Sequence, residues 1–131
     1  MKTLIVEDDF TSRLLLQELL KSYGPSHIAV NGKEAVEAVR AALEAGEPYD
    51  LICLDIMMPE MDGQEALKKI RTLEKDRRIV LSHRVRVVMT TALDDMKNVF
   101  AAYDSLCDGY LAKPIQKAKL MEELRNLKLI S

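Results

Sequence analysis

Apolar residues along the chain recur in five short runs, separated by longer segments with helical spacing. The runs comprise Thr3–Val6, His27–Val30, Leu51–Leu54, Val85–Met89 and Gly109–Ala112. Short apolar runs bounded by turn residues are typical of buried strands. The pattern therefore predicts five strands, each followed by a helix.

The segments between the runs repeat apolar residues every three or four positions, as one face of a helix does. Two of them begin with a capping signal, Asn31 with Glu34 and Asp62 with Glu65. The inward-facing positions are predicted to be Leu15, Leu16, Leu19, Leu20 and Tyr23; Ala35, Val36, Val39 and Leu43; Ala66, Leu67, Ile70 and Leu73; Met96, Val99, Phe100 and Tyr103; and Leu120, Leu124 and Leu127. Regular alternation of strand and helix predicts an α/β fold, a parallel sheet with helices on both faces.

Composition fits one globular domain. The chain has 131 residues, of which 48% are apolar and 31% charged, and it contains no linker or repeat, so we expect a single domain over residues 1–131 with no fused output domain. No apolar run approaches the roughly 18 residues of a membrane span, and we expect no membrane insertion. A net charge of −2 argues against direct nucleic-acid binding. The two cysteines match no metal-ligand spacing, so reduced thiols and a cytoplasmic location are expected.

The connection from Glu74 to Arg86 is long for a link between a helix and a strand. It contains four arginines, which could form a patch for a partner: Arg77, Arg78, Arg84 and Arg86. Charged stretches between elements are more often solvated, so we interpret this segment as a solvated loop.

Reactive side chains gather at one predicted edge of the sheet. In an open parallel sheet, ligands bind beyond the carboxyl ends of the strands. At those ends lie Glu7, Asp8 and Asp9 after the first strand, Asp55 at the end of the third, Thr90 and Thr91 at the end of the fourth, and Lys113 after the fifth. Taken alone, Asp55 could be a solvated strand end, but the convergence favours a reactive site.

The chemistry of this set suits phosphoryl transfer to an aspartate. Clustered acids repel one another unless a cation lies among them, and oxygen ligands without histidine or cysteine favour a hard ion such as Mg²⁺. A lysine and a threonine hydroxyl can stabilise the oxygens of a phosphoryl group. Asp55 is therefore predicted to be a phosphoryl acceptor.

Four motifs carry a family resemblance. They are LIVEDD with Arg13 following, LDIMMPEMDG, MTTA and GYLAKP, and together they extend over essentially the whole chain. On these residues the chain resembles the receiver domain of two-component response regulators, nearest to the stand-alone chemotaxis type. The resemblance implies a flavodoxin-like fold with strand order 2-1-3-4-5. The chain departs from the family in its long 74–86 connection, in Arg84 where proline is frequent, and in Ile115 where phenylalanine is frequent.

The resemblance also implies a role for each residue of the site. Asp55 would be the phosphoacceptor, and Tyr110 a switch aromatic. The ligands of Mg²⁺ or Mn²⁺ would be Asp8, Asp55 and the Met57 carbonyl, with Glu7 acting through water and Asp9 as a less favoured ligand. The phosphoryl group would be contacted by Lys113 and by Thr91, for which the neighbouring Thr90 is an alternative. The Lys113–Pro114 peptide is expected to be cis.

The implied partners follow from phosphorelay signalling. A histidine kinase or a phosphotransfer protein would supply the phosphoryl group, an unidentified protein would receive the signal, and a phosphatase could end it. Thr91 would move toward the phosphoryl group and Tyr110 would follow, which remodels the face of the fourth helix, fifth strand and fifth helix. Water would approach the phosphorus past Met57 and Leu93. Both are apolar and cannot orient it, so slow self-dephosphorylation is expected.

Two alternatives compete with a signalling switch. A phosphohydrolase with an aspartyl-phosphate intermediate usually has a general acid two residues beyond the nucleophile, where this chain has Met57, and it needs room for a substrate cap. A receiver that only binds partners would not require a complete acidic pocket. We therefore expect a switch that is not an enzyme in the usual sense, although it catalyses its own phosphorylation and dephosphorylation.

Overall fold

A computed structural model describes residues 1–58, 60–92 and 106–131. Its strands and helices are β1 (Thr3–Val6), α1 (Phe10–Leu20), β2 (Ser26–Ala29), α2 (Gly32–Glu44), β3 (Leu51–Asp55), α3 (Gly63–Asp76), β4 (Arg86–Ala92), β5 (Gly109–Lys113) and α4 (Lys117–Asn126). The predicted fourth helix, with Met96, Val99, Phe100 and Tyr103, lies outside the described residues, so α4 corresponds to the predicted fifth helix. Within the described ranges, every helix is too short or too polar to cross a bilayer.

The five strands form one parallel sheet in the order β2-β1-β3-β4-β5. This confirms the order 2-1-3-4-5 and the flavodoxin-like fold. The register pairs Val6 with Leu54, Asp55 with Thr90, and Ala92 with Lys113. The carboxyl ends of β1, β3, β4 and β5 therefore meet at the same edge.

Two apolar layers cover the sheet, one on each face. One layer joins the sheet to α2 and α3 through side chains such as Val36, Val39 and Ile70. The other joins it to α1 and α4 through side chains such as Leu16 and Leu120. The prediction of helices on both faces is confirmed.

The predicted capping residues begin α2 and α3. The Asn31 side chain accepts a hydrogen bond from the Glu34 amide at 2.8 Å, and Asp62 accepts one from the Glu65 amide at 2.9 Å. Each bond satisfies an amide that has no partner inside its helix. The position of α3 matters for the site, because its first turn lies against the end of β3.

Several predicted details were wrong. Leu15 is 39% exposed, because only a narrow stripe of α1, Leu16 and Leu20, is fully buried against the sheet. Strand β2 begins one residue earlier than predicted, and β4 lies further along the chain, from Arg86 to Ala92. Lys113 is the last residue of β5 and does not follow it, whereas Asp55 ends β3 as predicted. Backbone pairing thus holds both groups of the site more rigidly than a loop would.

Candidate functional site

Asp55 ends β3 as a buried carboxylate. Its side chain is almost inaccessible, because the residue is only 4% exposed. Its Oδ1 accepts a hydrogen bond from the Met57 amide at 3.3 Å, and its Oδ2 lies 3.2 Å from Nζ of Lys113. The possibility of a solvated strand end is therefore excluded, since a buried carboxylate requires such partners.

Glu7, Asp8 and Asp55 form an acidic cluster. Each offers one carboxylate oxygen, and these oxygens lie within 4.8 Å of one another. Glu7 and Asp55 are buried, and Asp8 is exposed at the rim. Three hard oxygen donors on one open side fit a divalent ion that retains some of its waters, as Mg²⁺ does, and Mn²⁺ accepts the same donors.

Lys113 joins the buried acids. Its Nζ lies 2.7 Å from Oε1 of Glu7 and 3.2 Å from Oδ2 of Asp55. Burial disfavours the charged lysine, but the two carboxylates outweigh it and the pKa of Lys113 is raised. Burial raises the pKa of Glu7, and Asp55 adds to that rise while Lys113 opposes it. One lysine thus faces two buried acids, and a further cation would be stabilised there.

Asp9 serves α1 and is less suited to the cluster. Its side chain caps the helix by accepting a hydrogen bond from the Ser12 amide at 2.8 Å, and the bonds with Ser12 lower the pKa of Asp9. Arg13 on the same helix donates to the Glu7 carbonyl at 3.2 Å and so secures the turn that carries the acids.

Thr90 and Thr91 are both buried, but they have different surroundings. Side chains alternate along a strand, and residues paired in parallel register share a face. Thr91 pairs with Ala112, so it lies on the same sheet face as Tyr110, two residues earlier. The Thr91 hydroxyl is buried and makes no hydrogen bond within the described ranges. Tyr110 is half-buried and packs against the core layer on that face.

The residues predicted to flank water access are only partly described. Met57 is 73% exposed, and its backbone amide donates to the Asp55 carboxylate. Leu93 lies outside the described residues. The Lys113–Pro114 peptide is cis, as the resemblance implied.

The sequence interpretation missed the part that Gly63 plays in the site. Its amide donates to the Ile56 carbonyl at 2.9 Å, and a Cβ atom at this position would lie 2.2 Å from the Asp55 carbonyl oxygen. Only glycine lets α3 approach the end of β3 this closely. A glycine directly after a capping aspartate was the available signal, since other residues are better helix formers there.

The interpretation also missed a buried ion-pair network at the opposite edge of the sheet. Arg71 on α3 lies 2.7 Å from Glu74 and 3.0 Å from Asp108. It also donates to the carbonyls of Leu106 and Val85. Helical spacing could not reveal this network, because Arg71 and Glu74 look like ordinary surface residues in the sequence.

Comparison with known proteins gives a consistent family. The family model described as response regulator receiver domain matches residues 3–125. An osmosensing histidine protein kinase of Saccharomyces cerevisiae is 33% identical over 121 residues, which are 91% of this chain and 9% of that kinase. The chain therefore spans less than a tenth of the length of that relative.

Two solved structures are similar over nearly the whole chain. One is the receiver domain of a sensor histidine kinase from Pseudomonas aeruginosa, with a magnesium ion coordinated in the active site cleft; it is 27% identical with a TM-score of 0.74, over 95% of this chain and 94% of that one. The other is the receiver domain of the response regulator downstream of a Saccharomyces cerevisiae histidine phosphotransfer signaling protein, crystallised with that protein. It is 28% identical with a TM-score of 0.80, over 99% of this chain and 92% of that one.

Proposed function

The chain belongs to the response regulator receiver domain family, and on that premise we propose that it is a phosphorelay signalling switch phosphorylated on Asp55. The observation that carries the assignment is the contact of Lys113 with both Glu7 and Asp55 at the carboxyl edge of the sheet. A nucleophilic carboxylate, two further acids and a lysine are the groups that phosphoryl transfer to aspartate requires.

Each residue of the site has a part in the transfer. An Asp55 oxygen attacks the phosphorus of the donor's phosphohistidine, the phosphorus–nitrogen bond breaks, and the histidine leaves with the electron pair. Lys113 pairs with a phosphoryl oxygen, and the Thr91 hydroxyl donates to another. Asp8, Asp55 and the Met57 carbonyl would hold Mg²⁺ or Mn²⁺, with Glu7 acting through water. When bound, the ion neutralises charge on the transferring oxygens.

The donor is a histidine kinase or a histidine phosphotransfer protein. Support comes from the relative that is a histidine kinase and from the similar receiver domain crystallised with a phosphotransfer protein. A cytoplasmic location fits these donors. It also fits Cys53, which is buried and forms no disulfide in the part of the chain that the structure describes. The receiving protein is unidentified, and a phosphatase is a further partner.

Phosphorylation is read out through Thr91 and Tyr110. Both lie on one face of the sheet, in adjacent strands, so a shift of Thr91 toward the phosphoryl group opens space that Tyr110 can enter. The change alters the face of β5, α4 and the predicted fourth helix. A phosphohydrolase is not favoured, because Met57 stands where a general acid is required.

Acetyl phosphate with Mg²⁺ tests the assignment. Intact-protein mass spectrometry is expected to show one added phosphoryl group on the wild-type protein and none on Asp55→Asn. Asp50→Asn is the matched control, since Asp50 lies at the opposite edge, where it accepts from the Lys2 amide, and it should label normally. Equal labelling of Asp55→Asn would refute the site.

A further inference from the structure

The connection between α3 and β4 is ordered and strongly basic. Residues 75–86 carry five basic side chains and one acidic one, in a chain whose net charge is −2. The segment is held by its own backbone. Arg78 adopts φ 58° at the helix end, and the Ile79 amide donates to the Glu74 carbonyl at 3.0 Å. This is a hydrogen-bonded helix end of the kind that usually employs glycine.

A short turn after this helix end exposes two apolar side chains. Leu81–His83 form a 3₁₀ turn, in which the His83 amide donates to the Val80 carbonyl at 2.9 Å. Val80 is 59% exposed and Leu81 71% exposed. Two adjacent exposed aliphatic side chains on this hydrogen-bonded backbone give the basic segment an apolar surface beside its arginines.

An apolar cavity of about 220 Å³ adjoins the turn. Its lining is mainly apolar, with Val39, Leu43, Tyr49, Ile79 and Val85, and it also includes Glu74. Glu74 adds no unpaired charge, since its two oxygens accept from Arg71 and from the Val85 amide. The volume lies below the roughly 300–1,000 Å³ of small-molecule sites, and it suits one bulky side chain of a protein partner.

We propose that residues 75–86 and this cavity form a docking surface for a partner protein, which presents a bulky apolar side chain among aspartates or glutamates. The apolar side chain enters the cavity beside Leu81, as an anchor residue does in protein interfaces. The acids pair with the arginines. Arg78 makes no ion pair with any residue that the structure describes, and the buried Nε of Arg84 has no hydrogen-bond partner there. A concave cavity fits a protruding side chain better than it fits a flat membrane.

The docking surface lies at the opposite end of β4 from the phosphorylation site. Arg86 begins β4, and Thr91 follows five residues later, roughly 17 Å away at about 3.3 Å per residue. Docking therefore needs no change at Asp55. This inference rests on the proposed function and adds to it a second binding surface. Through that surface the protein would stay bound to a partner whether or not Asp55 is phosphorylated.

Acidic peptides with one central leucine among aspartates and glutamates provide the probe. Titration into ¹⁵N-labelled protein should shift the amides of residues 75–86 and those lining the cavity, and leave Asp55 and Lys113 unchanged. Leu81→Ser and Arg78→Glu should each weaken binding about tenfold, the effect of losing one interface anchor. Leu14→Ser, which removes another exposed leucine (47% exposed) on α1, is the matched control and should bind normally.

Three outcomes would overturn the docking surface. They are no shift within residues 75–86, equal binding by Leu81→Ser, and preference of this segment for phosphatidylglycerol vesicles or duplex DNA over the peptide. Replacing the peptide's leucine by serine should abolish binding, and raised salt should weaken it. Acetyl phosphate labelling of Leu81→Ser should remain normal, so that loss of docking and failure of the phosphorylation assignment are distinguished.

Discussion

At the scale of the residue, hydrogen bonds distinguish three neighbouring acids. Glu7 is buried against Lys113, Asp8 points into the acidic cluster from its exposed rim, and Asp9 caps α1. A carboxylate that already accepts the amides of its own helix loses those bonds if it turns to a metal. Asp8 is therefore better placed to bind the ion than Asp9.

Metal binding should separate Asp8 from Asp9. Asp8→Ala is expected to weaken Mg²⁺ binding by at least about tenfold, the order of loss that follows removal of groups around a metal site. Asp9→Ala should change it much less, since its main effect is on the start of α1. Isothermal titration of the unphosphorylated variants with Mg²⁺ measures both. If Asp9→Ala weakened Mg²⁺ binding more than Asp8→Ala did, Asp9 and not Asp8 would be the metal ligand.

The lifetime of the phosphorylated state should depend on Met57. Met57 is 73% exposed and its backbone amide donates to Asp55, but its thioether cannot orient an attacking water. Met57→Asn introduces a hydrogen-bonding group and is expected to speed release of labelled phosphate from purified protein. Adding Leu93→Glu should speed it further, and Met57→Leu is the apolar control. An unchanged or slower rate in the double variant would refute the effect.

At the scale of the element, the start of α3 supports the carboxylate at the end of β3. The Asp62 cap begins the helix, and Gly63 brings it against the Asp55 backbone. Helix and strand are thus positioned together. A change in one transmits directly to the other, because no side chain separates them.

Gly63→Ala should disturb both folding and chemistry. The added Cβ would lie 2.2 Å from the Asp55 carbonyl oxygen. This is a steric clash that only a shift of the backbone of α3 or β3 can remove. We expect a lower urea midpoint and slower labelling by acetyl phosphate, although alanine is the better helix former. Gln64→Ala, at the next position, is the control and should leave both unchanged. Wild-type labelling by Gly63→Ala would show that the contact is not needed for the site.

Local patterns predicted the elements better than their exact ends. Both capping pairs and all five strands were predictable, because these depend on neighbouring residues. The strand order came from family resemblance, since alternation alone does not determine it. The exposure of Leu15 was not predictable, because helical spacing cannot tell how wide a stripe the sheet will cover.

At the scale of the whole molecule, one edge of the sheet carries the proposed phosphorylation site and the opposite edge carries a buried ion-pair network. The carboxyl edge gathers Asp55 and Lys113, and the amino edge carries the network centred on Arg71. The acidic edge was predictable, because strand ends of a parallel sheet must coincide. The network at the other edge was not, since Asp108 approaches Arg71 only after β4 and β5 pair.

Arg71→Met tests whether the network at the amino edge stabilises the fold without affecting phosphorylation of Asp55. Arg71 is 8% exposed, and its removal leaves the buried Glu74 without its cation and leaves Asp108 with only Arg86, 3.8 Å away. Breaking a buried ion pair in this way costs about 3–5 kcal/mol, so the free energy of unfolding in urea should fall by that order.

Two further variants make the stability test specific. Arg71→Met with Glu74→Gln should recover part of the loss, because one buried charge is then removed. Arg77→Met breaks an exposed pair with Glu44 at 3.5 Å and should cost less than about 1 kcal/mol. Below their unfolding transitions, all three variants should still accept a phosphoryl group on Asp55, because the network does not touch the acidic cluster. A loss of labelling by folded Arg71→Met would show that the amino edge also controls the chemistry.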